Sequence, residues 1–265
     1  MRTFLQSGGM MRVLGRTAAA AAGITCPFVL AGCQSVANAG SAAQVRVIDA
    51  SPDAPALDFV PTSASAPAPP ALYNVGFGAV SSYMEISPGA WTHAAYLSGT
   101  GQQVANLRGT FAAGGQYTLL ANDISANLRL SLLRDQSTPA PSGLVALRFL
   151  GESTRMGPVD LYLVPPGAAL SDGLAPVAAR LAFGSNTGYR NLPAGEYSLV
   201  ALAAGSAPGA ATPLFTGSRT AYPAGSARTI VLVDGPAFRQ TAELMYGAPS
   251  VLHVLTASDY DPPGS

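Results

Sequence analysis

The 265-residue chain contains no lysine. Its 14 basic residues are all Arg, and 14 acids bring the formal net charge to zero. Charged residues make up 11% of the sequence, against roughly 25% in an average soluble domain. A chain so balanced lacks the basic surface that nucleic acid requires, and it carries no acidic run that could act as a solvating tail. Histidine is nearly absent. Neither His93 nor His253 has another His nearby in sequence, so the spacing of a histidine metal site is missing. The sequence also has no Gly-x-Ser-x-Gly elbow, no phosphate-cradling glycine loop and no His-Glu-x-x-His motif. Any general base would have to be Asp or Glu. We therefore expect no catalytic residues, no cofactor and no enzyme. Outside the N-terminus no window shows a long helical stripe of apolar residues, which leaves little room for a helical fold.

What the chain does have is apolar content. Hydrophobic residues make up 48%, enough to bury a core, and the length suits two small cores better than one. The 29 Gly and 22 Pro together are about a fifth of the chain, below the roughly 25–30% of low-complexity sequence.

The N-terminus carries the most specific signal. Arg2, Arg12 and Arg16 form a basic region, residues 18–30 form an apolar run, and Ala31-Gly32-Cys33 follows. The run is too short for a bilayer, which takes roughly 20 helical residues, but it fits the apolar stretch of a secretory signal. Leu30-Ala31-Gly32-Cys33 resembles the lipobox of bacterial lipoproteins. That resemblance implies cleavage of residues 1–32, lipidation of Cys33, and a tether over residues 33–43. Met1, Met10 and Met11 are all candidate start residues. Cys26 leaves with the signal, so Cys33 is the only cysteine of the mature chain, and no internal disulfide forms. Gln34 stands where an Asp would favour inner-membrane retention, so the resemblance implies an outer-membrane lipoprotein held through its lipid, facing either the periplasm or the outside. Several acyl chains anchor stably where one alone binds marginally.

An internal repeat organises the rest. Val45-Arg46-Val47-Ile48 matches Leu147-Arg148-Phe149-Leu150 at an offset of 102, which continues through Ser51/Ser153 and Asp58/Asp160. At an offset of 106, Phe77-Gly78 matches Phe183-Gly184, Tyr83 matches Tyr189, and Trp91 matches Tyr197. At an offset of 111, residues 111–114 match residues 222–225. Offsets that grow only in Pro/Gly/Ala-rich stretches mark loop insertions between equivalent elements. The copies span residues 44–138 and 143–249, joined near residues 137–142.

Each copy reads as strands. Leu128, Leu130 and Leu132 alternate with Arg129 and Ser131. Val145, Leu147 and Phe149 share one face while Arg148 points the other way. Residues 229–233 form a continuous apolar run of strand length, as expected where both faces are covered. Turn signals such as Ser87-Pro88-Gly89 and Pro193-Ala194-Gly195 recur at sandwich-like intervals. The fold expected is all-β, two tandem Ig-like β-sandwiches. Residues 252–258 resemble residues 45–51, and we expect a spare strand there, added to a sheet edge within a C-terminal segment (250–265) that otherwise ends as a disordered tail.

Residues 45–55, 77–83 and 88–89 resemble the family catalogued as domain of unknown function 4397, bacterial and archaeal cell-surface domains often found in tandem. The second copy departs from the pattern at residues 151–156. The resemblance implies a location and an architecture, and brings no catalytic residues.

Asp49, Asp53 and Asp58 put three carboxylates within ten residues, a weak calcium candidate, since calcium takes roughly six to eight oxygens. Turn chemistry, with Asp and Ser side chains bonding nearby backbone, is the preferred reading. We read Asp58 and Asp160 as paired structural positions at strand starts. Trp91, Tyr96 and Tyr83 could build a sugar-binding face, but repetition of Trp91 and Tyr83 across the copies favours core. The function expected is a non-enzymatic envelope lipoprotein that binds or scaffolds an unknown protein or glycan ligand. The alternative is a carbohydrate- or peptide-binding accessory protein of an export or adhesion system. A carboxylate-pair glycoside hydrolase ranks last, because it needs a cleft that small sandwiches rarely supply.

Overall fold

The structure, a computed structural model, describes residues 42–235 and 252–263. The signal peptide, Cys33, most of the tether and residues 236–249 of the second copy lie outside the described residues.

The chain is all-β. The first copy contributes β1 (Ala43–Asp49), β2 (Leu57–Thr62), β3 (Leu72–Val75), β4 (Met84–Ile86), β5 (Gly89–Leu97), β6 (Gln103–Phe111), β7 (Gln116–Asn122) and β8 (Arg129–Arg134). The second contributes β9 (Leu144–Gly151), β10 (Val159–Val164), β11 (Ala178–Leu181), β12 (Ser185–Pro193), β13 (Gly195–Ala203), β14 (Phe215–Tyr222), β15 (Ala227–Asp234) and β16 (Leu252–Tyr260). The first copy orders its sheets β4-β1-β7-β8 and β3-β2-β5-β6. The second repeats both orders, as β12-β9-β15-β16 and β11-β10-β13-β14. In each, the first strand runs parallel to the seventh, β1 to β7 and β9 to β15. The sandwiches expected are present. Among the described residues each has eight strands in this order, where an immunoglobulin constant domain has seven in the order ABED and CFG.

Period-two alternation decides which side chains meet. Val45, Val47, Leu119, Leu130, Leu57, Phe59 and Trp91 fill the first sandwich. Leu147, Phe149, Leu161, Ala201, Ile230 and Leu232 fill the second. The opposite faces of two sheets are covered as well. Ile48, Ala50 and Leu120 of the first copy pack with Leu150, Val231, Val233 and Ala257 of the second, a third core in the seam between the sandwiches. This is why residues 229–233 read as a continuous apolar run: one residue in two faces its own sandwich and the next faces the other. The joint is packed too. Ala140 is buried with Ala146 and Ala227, and its amide donates to the carbonyl of Gly225 at 3.0 Å.

β16 takes the sheet edge expected for it but is no spare strand. It pairs antiparallel with β15, as β8 pairs with β7, so it is the eighth strand of the second sandwich. His253 therefore corresponds to Arg129, not to Arg46 or Arg148. The likeness to residues 45–51 reflects alternation common to strands of the seam sheets. Leu252 and Val254 face the second core, Leu255 and Ala257 face the seam, and Tyr260 still belongs to the strand.

The Phe-Gly pairs mark a shared turn. Gly78 and Gly184 have φ of 81° and 73°, a conformation costly for residues with a Cβ. There their amides reach the carbonyls of Asp49 and Gly151, at 2.8 and 2.7 Å.

Candidate functional site

The polar chemistry concentrates in the seam. Arg46 and Arg148 leave β1 and β9 on the face opposite each sandwich core and are almost completely buried, at 1% and 2% exposure. Each reaches an Asp of the other sandwich. The Arg148 guanidinium donates to Asp135 Oδ1 at 2.6 Å, just after β8, and that of Arg46 donates to Asp259 on β16. Each Arg Nε donates to a Thr of its own sandwich, Arg46 to Thr118 Oγ1 at 2.9 Å and Arg148 to Thr229 Oγ1 at 3.0 Å. Each Nη1 donates to a carbonyl across the seam, that of Ser258 at 2.7 Å and that of Arg134 at 3.0 Å.

The tyrosines complete the pattern. Tyr83 lies under the Arg46 guanidinium and Tyr189 under that of Arg148, each 4.7 Å from ring centroid to charge. Tyr83 Oη donates to Asp135 Oδ2 at 2.7 Å, and Tyr189 Oη to Asp259 Oδ2 at 2.8 Å. Thr118 and Thr229 hydroxyls donate to the same oxygens, at 2.6 and 2.7 Å. Two congruent clusters thus exchange their arginines across a local two-fold. Burial raises the Tyr83 and Tyr189 hydroxyls above their usual range, and the neighbouring carboxylates add to the effect. Burial also raises Asp259, against the pull of Arg46. A network so closed serves cohesion rather than chemistry.

The sequence candidates scatter. Asp58 accepts the Asn74 amide at 2.8 Å and the Ser98 hydroxyl, and Asp160 accepts the amides of Arg180 and Gly205 at 2.7 and 2.8 Å. Asn74 and Arg180 are equivalent residues with φ of 55° and 53°, so these two carboxylates hold the same irregularity in β3 and β11, where the pairing with β2 and β10 shifts register. Asp53 accepts the Ser125 amide at 2.7 Å. Asp49 is buried, accepts the Ser51 amide through Oδ1 at 2.9 Å, and leaves Oδ2 without a partner. The three are not gathered into one site. Among the described residues, no group of three or more His, Cys, Asp or Glu could hold a metal.

Trp91 lies in the first core and donates from Nε1 to the Ser87 carbonyl at 2.8 Å. Its counterpart Tyr197 donates to the Pro193 carbonyl at 3.1 Å. His93 is buried 5.4 Å from the Phe111 ring, and burial pushes its pKa down to about 4. Sequence reasoning passed over Asp135, Asp259, Thr118 and Thr229. The thread was available in Arg46 and Arg148, a charge repeated on a strand face that the hydrophobic alternation left unassigned.

Burial raises Asp49 to about 7, partly offset by the Ser51 amide. Between its ordinary value and that one, the folded chain holds a proton that the unfolded chain has lost. Stability from this group therefore declines as pH rises through that window and stays low above it. We expect Asp49→Asn to stabilise the protein at about pH 8 by on the order of 3 kcal/mol, and by much less near pH 4. Urea titrations at both pH values check this. An equal effect at both would contradict it.

A family model described as Domain of unknown function (DUF4397) matches residues 43–162, which supports the family read from residues 45–89. No curated protein matches the chain. Among solved structures, a leucine-rich repeat protein from Bacteroides thetaiotaomicron aligns at 13% identity with a TM-score of 0.20, over 71% of this chain and 25% of that one. Among the described residues, no helix is long and apolar enough to cross a membrane.

Proposed function

We propose that this protein is a non-enzymatic lipoprotein of the cell envelope, in which a lipid on Cys33 holds a two-sandwich binding or scaffolding unit at the outer membrane. The ordered succession of basic region, apolar run and Leu30-Ala31-Gly32-Cys33 carries this reading. The family match supports it through the surface location that the resemblance implies. The engagement of Asp58, Asp135, Asp160, Asp234 and Asp259 in structural hydrogen bonds supports a binding role over acid–base catalysis. The partner is a protein or glycan of the envelope rather than nucleic acid.

The test is metabolic labelling with palmitate in a bacterial host. The natural chain takes up label and sediments with membranes. Cys33→Ala takes up none and moves to the soluble periplasmic fraction. Unchanged labelling and partition in the variant would overturn the anchor.

A further inference from the structure

The local two-fold that relates the sandwiches fails at one place. Register pairs Ser131 with Leu120 on β8 and Leu255 with Val231 on β16, so Ser131 and Leu255 are equivalent. By the same registers and repeat offsets, Asn122 corresponds to Val233, Glu152 to Ala50, Asn186 to Val80 and Phe183 to Phe77. On the Leu255 side the seam is filled. Phe77 and Leu255 pack onto Ala50, Val231 and Val233, and Leu255 lies 3.6 Å from where a Cβ on Gly78 would stand. On the Ser131 side the seam is open. A cleft of about 250 Å³ lies there, lined by Asn122, Ser131, Glu152, Phe183 and Asn186 among others.

Its polar lining has capacity to spare. Asn122 and Glu152 are 9% and 4% exposed, and Asn122 Nδ2 donates to Glu152 Oε2 at 3.1 Å. Asn122 Oδ1 is sealed from solvent with no partner, so the Glu152 carboxylate is the acidic acceptor that lines the cleft. Phe183, the counterpart of a packed Phe77, is 42% exposed at the mouth. A nearly buried carboxylate behind an exposed aromatic face fits a ligand that offers hydroxyl donors along one edge and C–H groups on a face. The size suits one ring, since pockets for larger drug-like ligands start at roughly 300 Å³.

We propose that this cleft binds a single neutral pyranose unit of an envelope glycan, with its hydroxyls donating to the Glu152 carboxylate and its ring face against Phe183. Glu152 and Arg129, the latter paired with Asp123 at 3.8 Å, give the lining one charge of each sign, which favours a neutral ligand. A cationic ligand would want more than one carboxylate or aromatic ring, and the cleft lining has one of each. This rests on the binding role proposed above but not on the lipid.

The experiment is calorimetric titration of the detergent-solubilised full-length protein with methyl β-glucoside and N-acetylglucosamine, and with glucuronate and choline as anionic and cationic comparisons. A neutral sugar should bind saturably. Ser131→Leu, which installs the residue of the filled side, should abolish binding and leave the melting midpoint in place. Phe183→Ala, a truncation at an exposed position that spares the fold if Ser131→Leu does not, should weaken binding roughly tenfold. No saturable binding of either neutral sugar, choline binding in their place, or sugar binding indifferent to both substitutions would each overturn the proposal. Any of these could occur with Cys33-dependent labelling intact, so the ligand would fall without the anchor.

Discussion

A chain terminated after residue 250 is expected to lose its cooperative fold at room temperature. The loss of β16 strips β15 of its antiparallel partner along the whole strand, from Ala227 to Asp234, and leaves it paired only with β9. It uncovers the second core at Leu252 and Val254 and the seam at Leu255 and Ala257. Each fully buried Leu or Val is worth roughly 1.5–3 kcal/mol. The truncation also removes Asp259 and leaves Arg46 of the other sandwich buried with its main carboxylate gone, which alone costs roughly 3–5 kcal/mol. Together this approaches the roughly 5–15 kcal/mol that holds a typical protein folded. Thermal melting followed by near-ultraviolet dichroism is the measurement. A sharp transition within a few degrees of the full chain would show that β16 is dispensable.

Arg148→Met is expected to lower the melting midpoint by about 10 °C, the equivalent of roughly 3–5 kcal/mol for a unit of this size. Asp135 would keep its hydrogen bonds from Tyr83 and Thr118 but lose the guanidinium at 2.6 Å. Arg46→Met should cost about the same, because the two clusters are congruent. Arg148→Lys should recover only part of the loss, since an ammonium cannot donate to Thr229, Asp135 and the Arg134 carbonyl from one planar fork. Unequal losses for Arg46→Met and Arg148→Met would show that the geometric two-fold is not matched in energy. Full recovery by lysine would show that charge alone matters.

Much of the fold was legible because strand alternation is local. Residues 229–233 read as a strand covered on both sides, and Ile230 and Leu232 do face one core while Val231 and Val233 face another. The repeat was legible for the same reason, and it singled out Arg46/Arg148 and Tyr83/Tyr189 before their contacts were known. The contacts themselves were not, because Arg46 and Asp259 meet across 213 residues of sequence. Asp135 and Asp259 also close strands whose local sequences, Leu-Leu-Arg-Asp and Thr-Ala-Ser-Asp, share little. The tail was read as a sheet-edge strand from its apolar residues and its likeness to residues 45–51, but as a spare one. Only the register with β15 shows that it stands where β8 does. The cleft lay deeper still: nothing in Ser131 or Phe183 taken singly marks it, and it emerges only when the two halves of the seam are superposed.

Tandem fusion gives this seam a freedom that a pair of separate identical domains lacks. In a symmetric dimer every substitution at the contact appears twice, so a serine that opens one mouth opens both, and the association loses apolar cover on each side. Here residues 135–143 join the two halves, and each position along the contact is encoded independently. Leu255 and Phe77 can bear the cohesion on one flank while Ser131 and Phe183 are released from it on the other. The covalent join also keeps the halves at high effective concentration, so a contact weakened on one flank still closes. Asymmetry within a duplicated protein is thus affordable where the arginine clusters, kept alike in both halves, hold the partners in register.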